Sequence, residues 1–201
     1  MIIRLIHGIH SPEGNNNIAA FAPVLQKIMP DALVSVFSYG FMGFWAARFK
    51  NPGVAKRLAF ARANTMGERE VWVTHSNGAA IAYMAAKTLG ARPDMIINFN
   101  PALDRWRVAP VPHVETVYSE QDRWVDLARF LPMHMWGDQG KVGIAKTPYN
   151  AVEHLNYCSH NATKFGPGMA YKDHTGAFTA NRREAWAYFI AQRLSDYFPG
   201  T

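Results

Sequence analysis

The sequence predicts an α/β protein: a three-layer α/β/α sandwich around a mostly parallel sheet of about six strands. Short apolar runs rich in β-branched and aromatic residues recur along the chain, which is the first sign. Segments with apolar residues at helical spacing separate them, and Pro or Gly marks most of the junctions. Strands alternating with helices at this spacing form βαβ units, whose parallel sheet is covered on both faces.

Ile2 to His7 reads as the first strand and ends at His7-Gly8-Ile9. A loop through Ser11-Pro12-Glu13-Gly14-Asn15 leads to a helix from Asn17 to Met29, with Ile18, Phe21, Leu25 and Ile28 on one face. Pro30-Asp31 ends it, and Ala32 to Ser38 is the second strand. An aromatic segment from Phe41 to Phe49 follows, and Pro52-Gly53 separates it from a helix over Val54 to Thr65. Glu70 to His75 is the third strand, with an Ala-rich helix after it through Leu89. Met95 to Phe99 and His113 to Ser119 are the fourth and fifth strands. Residues 121–171 are the least regular stretch, with one strand expected near Ala151 to Tyr157. The last helix, Asn181 to Tyr197, gathers Ala185, Trp186, Phe189, Ile190, Leu194 and Tyr197 on one face.

At 201 residues the chain suits one well-cored domain, with 123–171 as a possible lid. Hydrophobic residues make up 49% and charged ones 18%, which excludes a disordered chain. No apolar run approaches the ~20 residues that span a bilayer, so no transmembrane segment is expected. Met1-Ile2-Ile3-Arg4-Leu5-Ile6 reads as a core strand without the longer apolar region of a secretion signal. With Cys158 the only cysteine, no internal disulfide can form, and a cytoplasmic location is the expectation. The formal charge of +6 comes from scattered residues, the densest groups being Lys56-Arg57, Arg105 with Arg107, and Arg182-Arg183. A solvated basic surface is expected, not a nucleic-acid site. The 8 histidines lack metal-ligand spacing, and no Gly-rich phosphate loop occurs, so neither a metal nor a cofactor is expected.

Chemistry points to Val71-Trp72-Val73-Thr74-His75-Ser76-Asn77-Gly78-Ala79-Ala80. Here a strand breaks at a serine set among small residues and a helix begins at once, the layout of a nucleophile elbow. Serine needs a base to take its proton and a third group to orient that base. Asp122 follows the fifth strand, and Asp126, four residues on, is the alternative acid. His174 lies in the loop before the last helix, with His154 and His160 as the competing bases. His75, beside Ser76, is expected to be structural, its side chain pointing away from that of the serine.

The order Ser76, Asp122, His174, together with Leu5-Ile6-His7-Gly8-Ile9 and Thr74-His75-Ser76-Asn77-Gly78, resembles the α/β-hydrolase superfamily over nearly the whole chain. The resemblance implies a minimal α/β-hydrolase fold without an evident cap domain. It also implies Ser76 as nucleophile, His174 as general base and Asp122 as its orienter. The oxyanion hole would be formed by the backbone N–H groups of Ile9 and Asn77. The implied activity is that of a serine hydrolase acting on a small-molecule carboxylic ester or thioester, with amidase or peptidase action as the variant. The rival is a catalytically silent binding or scaffold protein of the same fold. Two departures stand out: Thr74 replaces the usual glycine, and the family's usual first two strands are not seen. His10 and Phe41 are candidate substrate contacts. Phe44, Trp45 and Phe49 either line an acyl pocket or pack in the core. The mechanism requires Ser76 Oγ within hydrogen-bonding distance of His174 and the other imidazole nitrogen near Asp122.

Overall fold

The computed structural model describes residues 1–9, 17–125, 137–145, 153–159 and 169–200. Among these residues six strands are formed: β1 (Ile2–Ile6), β2 (Leu33–Phe37), β3 (Glu70–His75), β4 (Met95–Phe99), β5 (His113–Tyr118) and β6 (Glu153–Cys158). They make one sheet in the order β2-β1-β3-β4-β5-β6, with every neighbouring pair parallel. The helices are α1 (Asn17–Ile28), α2 (Phe44–Ala63), α3 (Asn77–Leu89), α4 (Gln139–Val142) and α5 (Arg183–Tyr197), with a 3-10 turn at Gly176–Phe178.

Alternation along the strands supplies two cores. Ile3, Leu5, Val71, Val73, Ile97 and Val117 face Phe21 and Leu25 of α1 and Trp186, Ile190 and Leu194 of α5. Ile6, Trp72, Ile96 and Val114 face the opposite way, against Leu58 of α2 and Ile81, Ala82 and Ala85 of α3. A side-chain period of two dictates this division, and it yields the three layers expected from the sequence.

The helix expected to begin at Val54 begins ten residues earlier and runs through Pro52. Proline removes one intrahelical bond, the one its N–H would have made to the Arg48 carbonyl. Arg48 is exposed, so water can take that carbonyl, while Ala47, Asn51, Val54, Ala55 and Leu58 bury a continuous inner face. The strand expected near 151–157 is β6, at the sheet edge. Within the possible lid segment, α4 and β6 are thus ordered elements, while residues 126–136, 146–152 and 160–168 lie outside the described residues. No described helix is long and apolar enough to cross a membrane.

The chain leaves β1 for β2 on one side and returns to β3 on the other. Strand order therefore reverses between β1 and β3, and parallel sheets open a crevice at the carboxyl ends of the strands flanking such a point. His7-Gly8-Ile9 and His75-Ser76 leave those two strand ends.

Candidate active site

Ser76 joins β3 to α3 with φ 54° and ψ −123°. A side chain at such a conformation costs on the order of 1–3 kcal/mol, so its surroundings must hold it there. The Ser76 N–H donates to the Phe99 carbonyl (3.1 Å), and its own carbonyl accepts from Ala79 (3.1 Å) and Ala102 (3.0 Å). Close approach is allowed by two glycines. A Cβ on Gly78 would lie 2.4 Å from the Ile6 carbonyl oxygen, and one on Gly8 would lie 2.9 Å from Ser76 Cβ. Thr74, where the family's glycine would stand, is fully buried and its hydroxyl donates to Asn98 Oδ1 on β4 (2.6 Å).

Asp122 follows β5 and is fully buried. Its Oδ1 accepts from the backbone N–H groups of Trp124 (3.0 Å) and Val125 (3.2 Å). Its Oδ2 lies 2.6 Å from His174 Nδ1 and accepts from Asn100 Nδ2 at 2.9 Å. A carboxylate at that distance accepts from Nδ1–H, and in the neutral imidazole this tautomer leaves the lone pair on Nε2. Asp126 and His160 lie outside the described residues, as does the side chain of His154.

The loop carrying His174 is pinned from three strand ends. Ser119 Oγ, after β5, donates to the Lys172 carbonyl (2.8 Å), and Ser159 Oγ, after β6, donates to that of Tyr171 (2.9 Å). His75, closing β3, places Nε2 2.9 Å from the His174 carbonyl oxygen. Its ring centroid is 4.8 Å from that of His174. Ser76 Oγ, expected within hydrogen-bonding distance of His174, is not hydrogen-bonded to it in this structure. Such bonds are often long in free enzymes and shorten when substrate binds.

Three features of this site escaped the sequence. Asn100, just after β4, has φ 45° and bridges Asp122 to Tyr171, whose hydroxyl donates to Asn100 Oδ1 (2.7 Å). Burial, reinforced by the Asp122 charge, raises the Tyr171 pKa well above its ordinary value, so it stays a donor. His75 reaches into the site through the His174 backbone. His7 stacks on Tyr39 with centroids 3.9 Å apart, and the Tyr39 hydroxyl donates to the carbonyls of His7 (2.7 Å) and Gly8 (3.0 Å). The loop before Ile9 is thereby fixed. The side chain of Asn77 is fixed by a reciprocal amide pair with Asn51 of α2 (2.8 and 3.0 Å). Asn77 opens α3, so no carbonyl of its own helix can accept its N–H. Phe41 is 60% exposed, Trp45 58% and Phe49 77%; His10 and the Phe44 side chain lie outside the described residues. Among the described residues no group of three His, Cys, Asp or Glu could hold a metal ion.

Burial and then the nearby His174 lower the His75 pKa to about 3, so His75 is neutral and its Nε2–H donates to that carbonyl. The unfolded chain takes up a proton there below about pH 6.5 and the native one does not. Stability from this group is therefore complete above pH 6.5 and lost as pH falls toward 3, a loss on the order of 2 kcal/mol by pH 5. His75→Asn should flatten the fall in melting temperature between pH 7 and pH 5 relative to wild type. Equal slopes in the two proteins would contradict this account.

No protein-family model and no curated protein matches the sequence. Solved structures do resemble it in shape. A serine hydrolase without a lid from Xanthomonas campestris is 15% identical with TM-score 0.59, covering 100% of this chain and 84% of that one. Esterase PE8 is 17% identical with TM-score 0.55, covering 95% and 91%. Aspergillus fumigatus lipase B is 17% identical with TM-score 0.56, covering 94% of this chain and 51% of its own. The chain thus has the α/β-hydrolase fold, in a minimal six-stranded form.

Proposed function

We propose that this chain is a serine hydrolase that cleaves a carboxylic ester or thioester through an acyl-enzyme on Ser76. The observation that carries this is the 2.6 Å pair of His174 Nδ1 with the buried Asp122 carboxylate, at the same sheet edge as a serine held at φ 54°. Ser76 Oγ adds to the acyl carbonyl while His174 Nε2 takes its proton. The N–H groups of Ile9 and Asn77 stabilise the oxyanion, each worth roughly 3 kcal/mol in the transition state. As the tetrahedral species collapses, the bond to the leaving alcohol or thiol breaks and that group takes the proton from His174. Water, deprotonated by His174, then attacks the acyl carbon, and the proton returns to Ser76 Oγ as the acid leaves.

The test is labelling by a fluorophosphonate, read as intact mass. Wild type should take up one equivalent, Ser76→Ala none, and His174→Ala should label roughly 10³-fold more slowly. A folded wild-type protein that does not label would overturn the proposal and leave the silent-scaffold reading. A matched ester and amide of one acyl group then separates esterase from amidase action.

A further inference from the structure

We propose that the outward face of α2 docks on an anionic lipid surface. No Asp or Glu occurs between Ala32 and Gly67, whereas α2 carries Arg48, Lys50, Lys56, Arg57 and Arg62. Arg57 and Arg62 are engaged with the carbonyls of Ser38 and Arg92. Arg48, Lys50 and Lys56 are exposed and have no ion pair among the described residues.

The same helix exposes Trp45 at 58%, Phe49 at 77% and Phe60 at 69%. At about 100° per residue the three fall within about 60° of one another, a row about 22 Å long with Lys56 on the same line. They are not the edge of the core, because Ala47, Val54, Ala55 and Leu58 bury the opposite side of the helix. Exposed apolar residues scattered singly mean little, but a row of aromatics along a cationic helix fits an interfacial element. The aromatics reach the acyl boundary while the ammonium and guanidinium groups meet anionic headgroups.

The charge pattern selects this occupant. A second copy would set two cationic helices face to face. A nucleic-acid strand would find no amide or hydroxyl in the row to orient a base, since the Asn51 amide is buried in its pair with Asn77. That pair also ties the first turns of α2 to the residue following Ser76, so docking would hold the lipid surface beside the candidate site.

The test is flotation of the full chain with phosphatidylglycerol–phosphatidylcholine vesicles and with pure phosphatidylcholine vesicles. The chain should float with the former, bind the latter roughly tenfold more weakly, and dissociate as salt rises. Trp45→Ser, Phe49→Ser and Phe60→Ser together should weaken binding roughly tenfold or more, with melting temperature as the folding control. Lys50→Glu with Lys56→Glu keeps the aromatics and should abolish the preference for anionic vesicles. Ser76→Ala should float like wild type, so docking is measured independently of any chemistry at that serine. Wild type remaining soluble, or the triple-serine variant floating unchanged, would overturn the proposal. So would retention of a random single-stranded oligonucleotide, or a dimer lost in the triple variant, without flotation.

Discussion

Asp122→Asn should slow fluorophosphonate labelling of Ser76 by roughly 10³- to 10⁴-fold at neutral pH. The size of the effect follows from the four donors that surround the carboxylate. Both oxygens are spoken for: Oδ1 by the N–H groups of Trp124 and Val125, Oδ2 by Asn100 Nδ2 and His174 Nδ1. An amide placed there has only one acceptor oxygen. If its NH2 takes the Oδ2 position, it faces the Asn100 donor and drives His174 to the tautomer with its proton on Nε2. That imidazole cannot take a proton from serine. If the NH2 takes the Oδ1 position, it meets two backbone donors. Stability should fall by about 1–3 kcal/mol as well, because a buried donor loses its acceptor, so labelling is to be compared well below the melting temperature. Tyr171→Phe removes a single hydrogen bond one step further out and should slow labelling less than tenfold. Equal labelling of wild type and a folded Asp122→Asn would make the His174–Asp122 pair a structural tie.

The gradation expected from Asp122 to Tyr171 reflects where the sequence was informative. Ser76 and Asp122 stand out because each follows the end of an apolar run, and His174 because it lies in the loop before the last helix; topology brings strand ends together. All six strands were legible for the same reason. The supporting residues were not. Asn100, Tyr171, Ser119 and Ser159 act through one or two hydrogen bonds to other segments of the chain, and no local pattern marks such bonds. His75 was legible as a structural residue, but its partner was not, because the His174 backbone it meets comes from 99 residues further along the chain. Pro52 did mislead. Its helix-breaking tendency is set against a buried face running from Ala47 to Leu58, and tertiary packing prevails over local preference.

Gly78→Ala should destabilise the protein by about 3 kcal/mol, although alanine for glycine inside a helix ordinarily stabilises by up to about 1 kcal/mol. At Gly78 the new methyl would lie 2.4 Å from the Ile6 carbonyl oxygen and 2.7 Å from that of His7. Both are backbone atoms at the end of β1, so neither can swing aside like a side-chain tip. Either α3 lifts from the sheet or the His7-Gly8-Ile9 turn moves, and both disturb the space beside Ser76. Gly53 in α2 provides the control. A Cβ there meets nothing within 4 Å, so Gly53→Ala should be neutral or slightly stabilising. For a chain of this size the Gly78 variant should melt roughly 6–12 °C lower than wild type. It should also label more slowly even when fully folded, because the elbow and the Ile9 N–H would be displaced together. If the two alanine variants melt alike, the close contact between α3 and β1 does not set the geometry of the elbow.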